Sequence, residues 1–283
     1  MNSNTKKIII LVVIILILSA LMSAICGIST LGIRLFKSSR SSSAETWTPK
    51  GNFSDIDIDT EVSDIRIYPA DNDSVKVTWT GNSATKVSVN VRNGTLTIEE
   101  KANRRLFGLI NLSGSSSVIS VYLPKGAYDS IDIESDTGSI SGQSLSVKKL
   151  ELKSDTGSVE FSDIKASQEV KVKNAVGKIT LTNVTCRKLD AENNTGSIHL
   201  TNVTAEGSLK AESDVGSIHL DRCDAGSLDL KTDIGSITGS LRSEKIFITK
   251  TDLGSISVPN TTSGGTCKAE TSTGRIELTI AGR

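Results

Sequence analysis

Eight glycines constrain this chain more than any other feature. Gly138, Gly157, Gly177, Gly196, Gly216, Gly235, Gly254 and Gly274 recur at intervals of 19, 20, 19, 20, 19, 19 and 20 residues. Most stand in variants of one phrase: SDTGSI from Ser135, SDTGSV from Ser154, NNTGSI from Asn193, SDVGSI from Ser213, KTDIGSITG from Lys231 and TDLGSI from Thr251. A period this regular over eight copies marks a solenoid, in which each copy is one coil that touches only its neighbours.

Around each glycine, apolar and polar residues alternate, the period of a strand with one buried face. Two residues after it stand Ile140, Val159, Ile179, Ile198, Ile218, Ile237, Ile256 and Ile276, and every copy is β-branched and aliphatic there. Four after it are Phe161, Leu181, Leu200, Leu220, Val258 and Leu278, with Gly142 and Gly239 as exceptions. Positions five and seven before the glycine, and seven after it, are also predominantly apolar. Stacking turns these positions into continuous inward columns, with parallel strands about 4.8 Å apart. At roughly 1.5–3 kcal/mol per buried aliphatic side chain, one coil offsets its ordering entropy only with neighbours on both sides. The expected fold is therefore all-β: a single-chain parallel β-solenoid, β-helix-like, with coils of 19–20 residues.

A corner between two strands of one coil needs positive φ, which glycine reaches without steric penalty. Asp136, Asp155, Asn194, Asp214, Asp233 and Asp252 stand two residues before their glycine, where a short side chain can hydrogen-bond the backbone two residues on. These glycines and acids are read as structural turn residues. The regular repeats occupy 131–283. Residues 49–130 hold looser strand-like runs, DIRIYP, SVKVTW, KVSVNVRNGTLTI and SVISVYLP, expected as an irregular first part that caps the N-terminal edge.

Residues 8–33 carry no charge, and 20 or so apolar residues at about 1.5 Å each cross a hydrocarbon layer of roughly 30 Å. They read as a single transmembrane helix, after a short cytoplasmic segment 1–7 and before a Ser-rich tether 34–48. A cleaved signal peptide is the competing reading, from the small residues of SALMSA at Ser19–Ala24, but the apolar run exceeds the usual length of such a leader. Lipidation at Cys26 is disfavoured by the preceding SAI. The expected location is the cell membrane, single-pass, with the solenoid outside the cytoplasm. Five of the 32 basic residues flank the apolar run and no acid precedes Glu45, so the remainder carries a net charge of about −5. That balance argues against nucleic acid as a partner.

The D-x-G-S-I corners at this spacing, the VYLP run Val121–Pro124 before SIDIES, and the N-terminal apolar segment together resemble the bacterial putative-adhesin family of β-strand-repeat cell-envelope proteins. The likeness covers about Gly51 to Gly282. It implies a bacterial surface or envelope protein, associated in some relatives with envelope stress responses. It implies no catalytic residues.

Several chemistries are weighed against structural roles. Carboxylates stacked at the corners repel and attract cations, yet exposed corner acids tolerate that spacing in water. A polysaccharide-active enzyme needs two carboxylates at a cleft, whereas these acids occupy equivalent corners and aromatics form only 4% of the chain. His199 and His219 stand on adjacent coils, facing outward, with Asp221 nearby; they are the weak candidates for a metal, against a solvated ladder. Cys223 and Cys267 fall on inward columns, while Cys186 is placed in the return as an exposed thiol. Arg104, Arg105, Leu106 and Phe107, in a protruding loop Ala102–Ser117, are the candidate partner contact. The C-terminal coil, ending RIELTIAGR, should leave an open strand edge, blunted by Arg275 and Glu277 or paired in a homodimer.

The composite expectation is a non-catalytic binding or adhesion module at the bacterial envelope, without cofactor, facing an envelope protein or glycan. An accessory or sensor protein touching a membrane partner is the alternative.

Overall fold

Alternation of aliphatic and polar residues translates into 19 strands among the described residues. The computed structural model describes residues 43–81, 85–102 and 117–281. The expected membrane segment 8–33, residues 1–7 before it, most of the tether, and the loop carrying Arg104–Phe107 lie outside the described residues. Among the described residues there is no helix, and so none long and apolar enough to cross a membrane.

The first strands are β1 (Ser43–Trp47), β2 (Asp55–Thr60), β3 (Asp64–Pro69), β4 (Lys76–Gly81), β5 (Thr85–Arg92), β6 (Thr95–Ala102) and β7 (Val118–Leu123). The repeats supply β8 (Ala127–Thr137), β9 (Ile140–Thr156), β10 (Val159–Val176), β11 (Ile179–Thr195), β12 (Ile198–Thr201), β13 (Thr204–Val215) and β14 (Ile218–Ile234). The last are β15 (Ile237–Leu241), β16 (Lys245–Leu253), β17 (Ile256–Ser257), β18 (Gly265–Thr273) and β19 (Ile276–Ile280). The protein is a β-solenoid whose repeat strands pair in parallel, rung on rung.

Ile140, Val159, Ile179, Ile198, Ile218 and Ile237 stack in register as one buried column. A column not anticipated lies nine residues after the glycine: Val147, Ala166, Cys186, Ala205 and Ala225, all buried. Cys186 is therefore not an exposed thiol but a core side chain, chosen for size. Burial pushes the Cys186 and Cys267 thiols up to about 12 and Cys223 up to about 11. All three are expected to resist iodoacetamide in the folded protein at pH 8 and to label fully in denaturant. Rapid labelling of Cys186 in the folded chain would contradict its placement.

The coils that begin at Gly138, Gly157, Gly177, Gly196 and Gly216 share a set of corners. The first is the repeated glycine, with φ between 139° and 158° at all eight positions. The second, six residues later, is held by left-handed non-glycine residues: Ser144, Asp163, Asn183, Asn202 and Arg222, with φ of 49–59°. Asn183 Nδ2 donates to Asp163 Oδ1 at 2.9 Å, and Asn202 Nδ2 to Asn183 Oδ1 at 2.8 Å, so neighbouring rungs tie these corners together. The third is a bulge between Ala166 and Glu169, Cys186 and Lys188, and Ala205 and Ser208, where strand register shifts by one. That bulge absorbs the alternation between 19 and 20 residues.

The coils do not stack in the order of the sequence at either end. The β2–β3 rung lies between β6–β7 and β8–β9. At the other end the C-terminal β18–β19 rung lies between β14–β15 and β16–β17. The expectation of an open edge at RIELTIAGR is thus overturned, because that coil is paired on both sides and the outermost rung is β16–β17. Charge is consistent with the order. Next to β14, Lys268 lies opposite Asp229 and Glu270 opposite Lys231; β16 in that place would set Ile248 against Asp229 and Lys250 against Lys231. Gly264 and Gly265 let the returning chain pass, since a Cβ on either would lie 1.8 Å from the carbonyl oxygen of Glu244 or Gly226.

The N-terminal end is closed by antiparallel strands: β5 on β6, β4 on β7, and β1 on β4. Ser43–Trp47, read from sequence as the end of the tether, is this last strand. Trp79 is buried there against Gly81, which has no side chain to obstruct the indole. Glu100, only 2% exposed, accepts hydrogen bonds from Val62 N (3.1 Å), Ser63 N (2.9 Å) and Ser63 Oγ (2.5 Å), and so satisfies the corner of the β2–β3 rung.

Candidate functional site

Strand alternation that sends Leu150, Val170, Leu189, Leu209 and Leu228 inward sends the residues beside them outward. The result is a flat sheet face, made of β2, β8, the C-terminal parts of β9, β10 and β11, then β13, β14 and β18. Opposite charges meet across rungs on it. Lys171 Nζ lies 2.5 Å from Glu151, Lys188 2.7 Å from Glu169, Lys173 3.0 Å from Glu192, Lys210 2.6 Å from Glu192, and Lys231 2.5 Å from Glu212. Lys153 pairs with Glu134 in the same manner. Each exposed pair contributes at most about 1 kcal/mol, but the pairs share partners and form a network. Hydrogen bonds from Lys210 and Lys173 hold Glu192 below the usual carboxylate range, and Lys231 then Lys210 do the same for Glu212. Their contribution to stability is present above the ordinary Glu pKa and fades as pH falls through the depressed values.

The N-terminal end of this face is acidic instead. Glu99, Asp59 and Glu134 fall in one column, and Asp57, Asp132 and Glu151 in the next. Desolvation by the crowded neighbouring side chains, then the carboxylates of Glu151, Asp57 and Glu134, raise Asp132, and desolvation, then Glu134, raise Asp59; both residues stay on the exposed face, so like-charge crowding is the part of the effect that matters. A raised folded-state pKa means the ionised acid destabilises the fold, and the penalty is relieved as pH drops through that pKa. Asp132→Asn is therefore expected to be more stable than the parent at pH 7 by about 0.2–1 kcal/mol, with the gap closing near pH 4. Thermal melts at the two pH values check this; a variant less stable at pH 7 would show that the carboxylate makes a net favourable contact.

The turn residues are placed as follows. Asp136, Asp155, Asp214, Asp252 and Asn194 are exposed and Asp233 half-buried. The hydrogen bonds that tie glycine corners between rungs come from the residue before them. Asn174 donates to Gly157 O (3.0 Å), Asn193 to Gly177 O (2.8 Å), Ser213 to Gly196 O (3.0 Å), Thr232 to Gly216 O (2.7 Å) and Thr271 to Gly235 O (2.9 Å). Sequence reasoning missed this buried polar column. The signal was present: Ser, Thr or Asn occupies the third position before every glycine, on the inward phase of the alternation.

His199 and His219 are brought together on adjacent rungs, ring centroids 5.9 Å apart and planes inclined at 53°. His219 Nδ1 lies 3.1 Å from Thr238 Oγ1, and burial, then Lys178 and His219, lower His199. Asp221 turns to Arg222 Nε at 3.7 Å and Ser240 Oγ at 3.5 Å. Among the described residues no group of three His, Cys, Asp or Glu side chains has a metal-holding arrangement. Two open depressions, of about 280 and 400 Å³, lie along the bulge corner; Glu206, Asp224, Ser243 and Lys245 line the first, and Lys149, Glu169, Arg187 and Lys188 the second. In the first, Lys245 Nζ is already paired with Asp224 at 2.7 Å. The chemistry available on this surface is therefore electrostatic and hydrogen-bonding recognition.

One family model, spanning nearly all of the solenoid, matches residues 53–283. The chain belongs to the Toastrack DUF4097 family. No curated protein matches it. Among solved structures, a putative adhesin from Bacteroides fragilis is 17% identical, with 88% of this chain and 100% of that one covered and a TM-score of 0.49. A putative lipid binding protein from Parabacteroides distasonis is 15% identical over 86% of this chain and 98% of its own, with a TM-score of 0.48. A putative cell adhesion protein from Clostridium sporogenes is 11% identical over 85% and 100%, with a TM-score of 0.40. In this Toastrack chain the repeats set charge on a flat face and fill the interior with aliphatic columns.

Proposed function

We propose that this Toastrack chain is a non-catalytic binding module, held at the bacterial envelope by its N-terminal apolar segment, with the solenoid outside the cytoplasm. The observation that carries the reading is the flat face of cross-rung ion pairs, which runs from the acidic N-terminal patch to Lys268 and Glu270. Such a face offers many weak polar contacts to an extended partner, an envelope protein or a glycan, and no enclosed volume for a reaction. Arg104, Arg105, Leu106 and Phe107 supply an additional contact in this reading.

Photo-crosslinkers placed at Lys171 and Lys210, on the face, and at Glu160 and Thr185, on other sides, test it in intact cells. Capture of an envelope component from the first pair alone, lost on Lys171→Glu with Lys210→Glu at an unchanged melting temperature, is the expected result. Equal capture from all four positions would sink the assignment of this face. A captured integral membrane protein would make the chain an accessory of that protein, and capture of external glycan an adhesin.

A further inference from the structure

The outermost rung at the C-terminal end differs from every other. Ile248 stands in line with Lys268 and Ile246 in line with Thr266, so aliphatics replace a charge and a hydroxyl of the flat face, and they are 55% and 44% exposed; Leu253 and Ile256, at the adjoining corner, are 69% and 45% exposed. Leu253 and Ser255 direct their carbonyls to Gly274 N and Ile276 N, at 2.9 and 2.8 Å. By strand alternation the N–H and C=O groups of Ile246, Ile248 and Lys250 point away from the solenoid. An open edge flanked by aliphatics is a template for another strand.

We infer that a second copy of this chain covers it, through an antiparallel β16–β16 pair with Ile246 of each copy opposite Ile248 of the other and Glu244 opposite Lys250. The charge pattern selects this occupant. The outward residues read acid, Ile, Ile, base: Glu244, Ile246, Ile248, Lys250. Reversed across a two-fold axis at Phe247, that order becomes its own complement, as an isologous interface requires. Glu244, which also accepts a hydrogen bond from Ser263 Oγ, is brought to the partner's lysine, and the four isoleucines form one apolar strip. The opposite end is not equivalent, because there the last parallel rung, β6–β7, is covered by the antiparallel strands β5 and β4 of the same chain. The 14 residues between Ala102 and Ser117 are anchored at that opposite end, roughly 40 Å away at 4.8 Å per rung, too far for a loop of that length to cover β16.

Sedimentation velocity of the full chain in detergent tests the inference. The parent should be dimeric at micromolar concentration. Ile248→Lys, Glu244→Lys and Lys250→Glu should each weaken self-association at least tenfold without lowering the melting temperature. Mixing the Glu244→Lys and Lys250→Glu proteins should restore a dimer, since each then meets an opposite charge at both positions, and the double swap should dimerise alone. That rescue separates pairing at β16 from any association through residues 1–42. A monomeric parent at 100 µM, a dimer indifferent to all three substitutions, or failure of the mixed pair would each overturn it.

Discussion

Gly157→Ala is expected to be among the most damaging single substitutions in the solenoid. A Cβ at Gly157 would lie 2.0 Å from the Gly138 carbonyl oxygen and 2.6 Å from its carbon, both backbone atoms of the adjacent rung. No rotamer relieves that overlap. The rungs cannot separate either, because Gly138 N bonds Thr156 O and Ile140 N bonds Ser158 O, both at 2.9 Å. The φ of 149° adds a conformation that L-residues avoid. Together these should cost about 3–5 kcal/mol, a fall of roughly 10 °C or more in melting temperature for a domain of this size. Asp155→Ala, two residues away and exposed, should change stability by less than about 0.5 kcal/mol. Equal losses in the two variants would mean that the acid, and not clearance at the glycine, makes the corner.

The second large effect is expected at Glu100. Its carboxylate is buried and accepts three hydrogen bonds from Val62 and Ser63, where the following rungs have a glycine corner. Glu100→Ala leaves the buried Ser63 N–H and the partly buried Val62 N–H without their acceptor, at a cost of about 2–5 kcal/mol. Glu100→Gln can keep its oxygen on both backbone N–H groups and donate its amide to Ser63 Oγ, losing only the charge, and should fall between. Because a solenoid is stabilised rung by rung, the loss should appear first as faster amide exchange in β2 and β3, with β11 to β14 protected as before. Uniform loss of protection along the whole chain would refute a local cap. The same end-specific logic separates the two termini of the solenoid, one sealed by its own chain and the other presenting Ile246 and Ile248.

The repeat made most of the architecture legible. Glycines at intervals of 19–20 residues, with β-branched residues two positions later, determine a parallel solenoid, because only stacking buries every such side chain at once. The inward columns, the corner glycines and the adjacency of His199 and His219 follow from counting. Counting did not reveal Glu100 as a cap, since it lies in the irregular region where no column predicts its partners. It also misplaced Cys186, because the column it shares with Ala166 and Ala205 is formed of small residues that carry a weak apolar signal.

What the sequence by itself determined is which residues share a column; what only the tertiary structure decided is the order of the coils at the two ends. Parallel rungs of equal period pair equally well in either order, so periodicity is silent there. With the last coil inside and β16 outermost, Lys268 lies against Asp229 and Glu270 against Lys231, and Gly264 and Gly265 admit the returning backbone. The exposed edge therefore belongs to a strand in the body of the repeats, and the charge pairing and clearance consistent with that order exist only once the coils are stacked.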